Sequence, residues 1–139
     1  PGRGAAVSVV ADSSAMVAAL TDNGAVGPWA RRRLRGRPLL APHLLGAEVV
    51  QVLRRSVRVG RLDPVVAGHV IAELMRYPVT QVAFNAVAHR VWELRETVSA
   101  YDAWYVAVAE AARVPLVTLD ARLARAPGPR CEFEVGPAA

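Results

Sequence analysis

The sequence predicts an α/β fold in which helices flank a central, mainly parallel sheet. Short apolar runs rich in Val, at 5–11 and 114–119, are typical of buried strands. Helical segments separate these runs, and strands that alternate with helices favour parallel pairing. A length of 139 residues suits one domain with a sizeable core. We therefore predict a single domain over 1–139, with 1–4 (PGRG) either disordered or a trimmed or added end.

Caps and chain breakers predict where the other elements begin and end. Asp63 is expected to cap a helix whose first residue is Pro64, and Asn85 and Ser99 are expected to cap two more. The run 38–41 is left open as a strand or a lead-in to a helix. The predicted helices are 13–20, 26–34, 44–57, 64–76, 85–97, 99–113 and the turn 121–124, and the predicted strands are 5–11, 79–84, 114–119 and 132–135.

Composition excludes several classes of protein. All 17 basic residues are Arg, and the absence of Lys removes both the P-loop and Schiff-base chemistry. Cys131 is the only cysteine, which removes disulfides and Cys-based zinc sites within one chain and favours the cytoplasm. No apolar run predicts a membrane helix. The net charge of +5 suggests a polyanionic or acidic partner, with a solvated basic surface as the alternative.

Three acidic residues stand where the predicted fold places ligand sites. Asp12 and Asp120 each follow the end of a predicted strand, and ligands of open parallel sheets bind beyond the carboxyl ends of the strands. Asp102 lies at the start of a predicted helix. Each also has a simpler interpretation, because Asp12 and Asp120 could cap the helices that follow them and Asp102 could form a capping box with Ser99.

Glu48 is the fourth acid, and its position is harder to explain. At 100° per residue it falls inside the apolar stripe of its helix, between Leu44 and Val52. A buried carboxylate is costly unless it is paired or ligates a metal, and a salt bridge to an Arg is the simpler alternative. Four carboxylates in one cleft would repel each other. A divalent cation with oxygen ligands, Mg²⁺ or Mn²⁺, would relieve that repulsion and could activate water.

Three stretches of the chain together resemble the PIN-domain ribonucleases, most closely the VapC-type toxins of bacterial toxin–antitoxin pairs. They are VVADSSAMVA (9–18), APHLLGAEVVQVLRR (41–55) and SAYDAWYVAVAEAARVPLVTLDARLARA (99–126). The resemblance implies a PIN-like fold and cleavage of RNA that depends on Mg²⁺ or Mn²⁺. It implies a catalytic, metal-binding quartet with two supporting hydroxyls: Asp12, Glu48, Asp102 and Asp120, with Ser14 and Thr118.

The same resemblance implies a homodimer and a small antitoxin whose tail blocks the acidic cleft. Trp29 and the apolar face of the first helices are a candidate antitoxin groove, with ordinary core packing as the alternative. Arg122 stands where some family members have a further acid, so a second metal would lack that ligand. Candidate RNA contacts, with a solvated face as the alternative, are Arg31, Arg32, Arg33, Arg35, Arg37 and Arg122. No catalytic role is expected for His43, His69 or His89.

Other classes of protein also place an Asp after the first strand of an α/β fold. Receiver domains and haloacid-dehalogenase-like phosphatases are both expected to have a Lys late in the chain, which is absent here. Ser14 also stands where those phosphatases have a second Asp. Two alternatives keep the PIN-like fold: an RNA-processing nuclease outside a toxin–antitoxin pair, and a non-catalytic interaction module. The intact set of four acids argues against the module.

Overall fold

The computed structural model describes residues 7–137, which form five strands and seven helices. A 3₁₀ turn, Phe84–Ala86, precedes the fifth helix. The strands are β1 (Val9–Ala11), β2 (Leu39–Pro42), β3 (Val79–Val82), β4 (Leu116–Thr118) and β5 (Phe133–Val135). The helices are α1 (Ser13–Thr21), α2 (Val26–Leu34), α3 (Leu45–Arg58), α4 (Pro64–Arg76), α5 (Ala88–Glu93), α6 (Ala100–Ala112) and α7 (Ala121–Arg125).

All five strands run in parallel, in the order β3-β2-β1-β4-β5. Parallel neighbours need crossover connections, and the helices supply them. The carboxyl ends of the strands therefore meet at one edge of the sheet. The predicted α/β class, with a central parallel sheet flanked by helices, is confirmed.

The core surrounds β1 and α6. Every residue of β1 is buried, and α6 is buried at Ala103 and along 105–109. A helix that is apolar on most of its surface must pack on more than one side, and α6 contacts β1, β2 and β4. This packing fixes the first turn of α6, which holds Asp102, relative to the centre of the sheet.

Several predicted boundaries are confirmed, among them the cap that Asp63 forms on α4 through the backbone amides of Val65 and Val66. The open run at 38–41 is a strand, β2. The strand predicted at 5–11 begins only at Val9, and residues 1–6 lie outside the described part of the chain. Within the described range, no helix has both the length and the apolar character that crossing a bilayer requires.

The helix predicted from Asn85 to about Thr97 is wrong. Asn85 lies inside the 3₁₀ turn and caps nothing, and the helix that follows spans only Ala88–Glu93. Beyond it the chain closes tight turns, with the amides of Thr97 and Val98 both donating to the Leu94 carbonyl. These turns bury Leu94 and Val98 in the core, so tertiary packing overrides the capping signal.

A matched pair of glycines provides a test of the packing between α1 and α2. Gly27 and Gly46 are each the second residue of a helix. A Cβ at Gly27 would lie 1.9 Å from the Asp22 carbonyl oxygen, whereas one at Gly46 would meet no atom within 4 Å. We predict that Gly27→Ala lowers the free energy of unfolding by about 1–3 kcal/mol, and that Gly46→Ala changes it by less than about 1 kcal/mol. Urea denaturation measures both, and equal losses would contradict the described packing.

Candidate active site

Each of the four predicted acids lies at the amino-terminal end of a helix. Asp12 and Asp120 cap α1 and α7, and Glu48 and Asp102 lie in the first turns of α3 and α6. The exposed N–H groups at such ends carry partial positive charge, which favours nearby carboxylates. The capping roles considered for Asp12 and Asp120 are therefore real, and they coexist with a place in a shared site.

The Asp12 carboxylate is the buried centre of this region, with 6% of the residue exposed. Its Oδ1 accepts hydrogen bonds from Ser14 Oγ at 2.5 Å and from the backbone amide of Ala15 at 3.0 Å. Its Oδ2 accepts one from Thr118 Oγ1. Burial raises the pKa of Asp12, and the negative charge of Asp102 adds to that effect, while the three hydrogen bonds oppose it.

The two hydroxyls that hold Asp12 also bind the loop after β4. Ser14 Oγ accepts a hydrogen bond from the Leu119 amide at 3.0 Å, and Thr118 Oγ1 accepts one from the Asp120 amide at 3.0 Å. Each hydroxyl thus donates to Asp12 and accepts from the backbone that leads to the last acid. The structure places both predicted supporting hydroxyls, Ser14 and Thr118, between Asp12 and this loop.

Asp102 and Asp120 line a cavity of about 310 Å³, together with Arg122. Burial raises the pKa of Asp102, and the negative charge of Asp120 raises it further. Asp120 is exposed, and its Oδ1 accepts from the amides of Arg122 and Leu123. Two larger cavities, of about 670 and 720 Å³, lie at the opposite edge of the sheet, where its strands begin. The acids therefore occupy the edge where parallel sheets bind ligands.

Glu48 is half-buried, and its partner is a tyrosine that the sequence analysis missed. Tyr105 Oη donates to Glu48 Oε1 at 2.7 Å. Within residues 7–137 no Arg nitrogen lies within 4 Å of a Glu48 carboxylate oxygen, so the alternative of an internal salt bridge is wrong. Tyr105 follows Asp102 by three residues, and residues at this spacing are neighbours on a helix. This spacing could have predicted that Tyr105 lies close to the acids.

The Tyr105 hydroxyl remains a hydrogen-bond donor at ordinary pH. Burial raises its pKa well above the usual range, and the neighbouring charge of Glu48 raises it further. The charges of Asp12 and Asp102 also contribute to this shift. Three of the four carboxylates therefore raise the pKa of this hydroxyl.

The chemistry of these donors fits a hard divalent cation, because all of them are carboxylate or hydroxyl oxygens. Within residues 7–137, none of the four acids forms an ion pair with an Arg. In that same range, no group of three or more Asp, Glu, His or Cys side chains lies close enough together to hold a metal ion. Binding one ion between three or more of these acids would therefore require some of their side chains to rotate.

Some of the arginines predicted to contact RNA are bonded to other parts of the protein, and others are exposed without such bonds. Arg31 donates to the carbonyls of Ala19 and Asp22, both at 3.0 Å, and Arg37 forms a two-pronged ion pair with Glu134. The side chains of Arg31 and Arg37 thus connect separate segments of the fold. In the described range the exposed side chains of Arg32, Arg35 and Arg122 form no hydrogen bond or ion pair, and of these only Arg122 borders the acidic cavity.

Two other predictions concern residues away from the acids. Trp29 is half-buried, with Arg33 stacked 5.5 Å from its ring centre and Gly136 packed beside the ring. These contacts agree with the alternative of core packing for Trp29, and its place in an antitoxin groove stays a prediction. The exposed side chains of His43, His69 and His89 line none of the acidic cavity.

Comparisons with known proteins match most of the chain. The sequence model of the PIN domain matches residues 9–129. VapC ribonuclease Mb0985 of Mycobacterium bovis is 36% identical over 129 residues, 93% of this chain and 98% of that protein. Ribonuclease VapC1 of Mycobacterium tuberculosis is 40% identical over 131 residues, 91% of this chain and 96% of that protein. VapBC2 from Rickettsia felis, solved bound to a promoter DNA fragment, matches in fold with a TM-score of 0.65 at 13% identity, covering 93% of this chain and 98% of that one.

Because the pKa of Asp102 is raised, the free energy of unfolding should depend on pH when no metal is bound. Because its folded-state pKa lies above the unfolded value, Asp102 stabilises the fold fully below the unfolded pKa and loses that contribution as pH rises through the folded pKa. In EDTA, wild type should therefore lose stability relative to Asp102→Asn as the pH rises from about 3.5 to about 7. Urea denaturation of both proteins across this range measures the difference. A difference that does not change with pH would contradict the assignment.

Proposed function

This chain belongs to the PIN-domain family, and we propose that it is a metal-dependent endoribonuclease, the toxin of a bacterial VapBC-type toxin–antitoxin pair. The observation that carries the proposal is the buried Asp12 carboxylate, held by two hydroxyls among three further acids at the carboxyl edge of the sheet. Relatives named as VapC ribonucleases, at 36% and 40% identity, support the activity.

The residues of the site would divide the work as follows. Ser14 and Thr118 hold Asp12 in one orientation, and Asp102 and Asp120 present their carboxylates to the open cavity. We expect Asp12, Asp102 and Asp120 to hold Mg²⁺ or Mn²⁺, with Glu48 binding directly or through a water. The ion, when bound, would supply an acidified water and a counter-charge for the phosphoryl oxygens.

Hydrolysis by water has a defined product. Attack on the phosphodiester by water with cleavage of the P–O3′ bond leaves a 5′-phosphate and a 3′-hydroxyl, whereas attack by the ribose 2′-hydroxyl breaks the P–O5′ bond and leaves a 2′,3′-cyclic phosphate and a 5′-hydroxyl. The second route typically uses a His, and no His lines the cavity that Asp102 and Asp120 form. The proposal therefore assigns the first set of ends to this protein.

The proposed partners follow from charge and from the relatives. RNA suits the net charge of +5 and the exposed Arg122 beside the acids. A small antitoxin is supported by the VapBC2 neighbour, whose name pairs a toxin with its antitoxin. A homodimer and a cytoplasmic location belong to the same proposal. A small neighbouring gene for a DNA-binding protein, and growth arrest relieved by its co-expression, would separate a toxin from an RNA-processing nuclease.

The first functional prediction concerns Asp12. Asp12→Asn should lower RNA cleavage in Mg²⁺ or Mn²⁺ by more than the roughly 10–100-fold typical of losing an outer-shell partner, and EDTA should abolish cleavage by wild type. The products should carry 5′-phosphate and 3′-hydroxyl ends, mapped by ligation and phosphatase sensitivity. Replacing His43, His69 or His89 with Ala should leave the rate unchanged and serves as the control.

Two results would contradict this mechanism even if the fold is right. One is a 2′,3′-cyclic phosphate on the products, which would make the ribose hydroxyl the nucleophile. The other is cleavage that continues undiminished in EDTA. Absence of cleavage on every RNA tested, with antitoxin binding retained, would favour the non-catalytic interaction module.

A second functional prediction separates an RNA contact from a structural arginine. In EDTA, Arg122→Ala should weaken RNA binding and reduce the slope of log affinity against log salt by about 0.7, the value for one single-strand phosphate contact. Arg37→Ala should leave the slope unchanged and lower the stability, because its guanidinium is engaged with Glu134. Fluorescence anisotropy across a salt series measures both, and equal slopes for Arg122→Ala and wild type would remove Arg122 from the interface.

A further inference from the structure

We propose that Tyr105 is a positioning residue that holds one carboxylate oxygen of Glu48 and leaves the other available to a cation or its bound water, a role that rests on the function proposed above. Tyr105 is 1% exposed, and its hydroxyl donates to Glu48 Oε1 at 2.7 Å. This bond joins α3 to α6, the helices whose first turns carry Glu48 and Asp102.

The Tyr105 hydroxyl can hold only one of the two Glu48 carboxylate oxygens. A phenol has a single O–H to donate, and Tyr105 gives it to Oε1. Within residues 7–137 no hydrogen bond reaches Glu48 Oε2, so that oxygen keeps its lone pairs. Metal-binding carboxylates commonly depend on such a neighbouring donor for their orientation. Tyr105 would thus select the Glu48 rotamer that is available to an ion or its bound water.

Tyr105 could instead be only a structural tie between two helices, and a second tyrosine provides the comparison. Tyr77 is half-buried, caps the carboxyl-terminal end of α4 and lines a cavity at the opposite edge of the sheet. Both Tyr105→Phe and Tyr77→Phe remove one hydroxyl and nothing else. A positioning role predicts that only the first change affects ion binding.

The experiment is a calorimetric titration of Mn²⁺ into the full chain without RNA. The variants are Tyr105→Phe, Tyr77→Phe, Glu48→Ala, Asp12→Asn and the double variant Tyr105→Phe/Glu48→Ala. Tyr105→Phe should weaken Mn²⁺ binding by about 10–100-fold, and Tyr77→Phe should leave it unchanged. In the Glu48→Ala background Tyr105→Phe should cause no further loss. With RNA, Tyr105→Phe should lower kcat and leave KM unchanged.

The outcomes distinguish this inference from the proposed function. If Tyr105→Phe binds Mn²⁺ as wild type does while Asp12→Asn does not, Tyr105 has no positioning role and the proposed function stands. A loss that is the same with and without Glu48 would also overturn the inference, because it would show a structural effect. If wild type binds no Mn²⁺, or Asp12→Asn binds it equally well, the inference and the proposed function fail together.

Discussion

Two hydroxyl groups hold the Asp12 carboxylate between β1 and α1, and the rest of the site depends on this contact. Thr118 reaches Asp12 because β1 and β4 pair in parallel, with Ala11 opposite Val117. Ser14 reaches it from the first turn of α1 and also binds the loop after β4. Strand register, helix start and loop position therefore converge on one carboxylate. A shift of register by one residue would turn Thr118 to the other face of the sheet.

This arrangement stores electrostatic strain in an otherwise apolar core. Burial disfavours the ionised form of Asp12, and its neighbour Asp102 adds repulsion. Three hydrogen bonds and the amino-terminal end of α1 offset part of that cost. A buried carboxylate such as Asp12 departs from the rule that cores are apolar, and such departures are expected at functional sites. A bound cation would relieve the remaining repulsion and couple ligand binding to the stability of the fold.

Much of the fold was predictable because its signals are local. Asp63 and Pro64 define the start of α4 through hydrogen bonds that span only a few residues, and the acids after β1 and β4 share an edge because parallel strands end together. The helix predicted to begin at Asn85 is wrong because the burial of Leu94 and Val98 determines the conformation of that segment. Contacts between distant residues could not be predicted: Tyr105 with Glu48, 57 positions apart, and Arg37 with Glu134, 97 positions apart. The separation of the four carboxylates likewise depends on side-chain rotamers, which no pattern in the sequence encodes.

We propose that the four carboxylates at one edge of the sheet serve a single cation. Anomalous diffraction from crystals soaked in Mn²⁺ tests it most directly, since the signal locates the ion independently of the protein density. We expect a peak within about 2.6 Å of carboxylate oxygens of Asp12 and Asp102, the upper range for hard cations with oxygen ligands, with the side chains of Asp120 and Glu48 rotated toward it. A Mn²⁺ peak elsewhere on the protein, with these four side chains unmoved at saturating Mn²⁺, would contradict it.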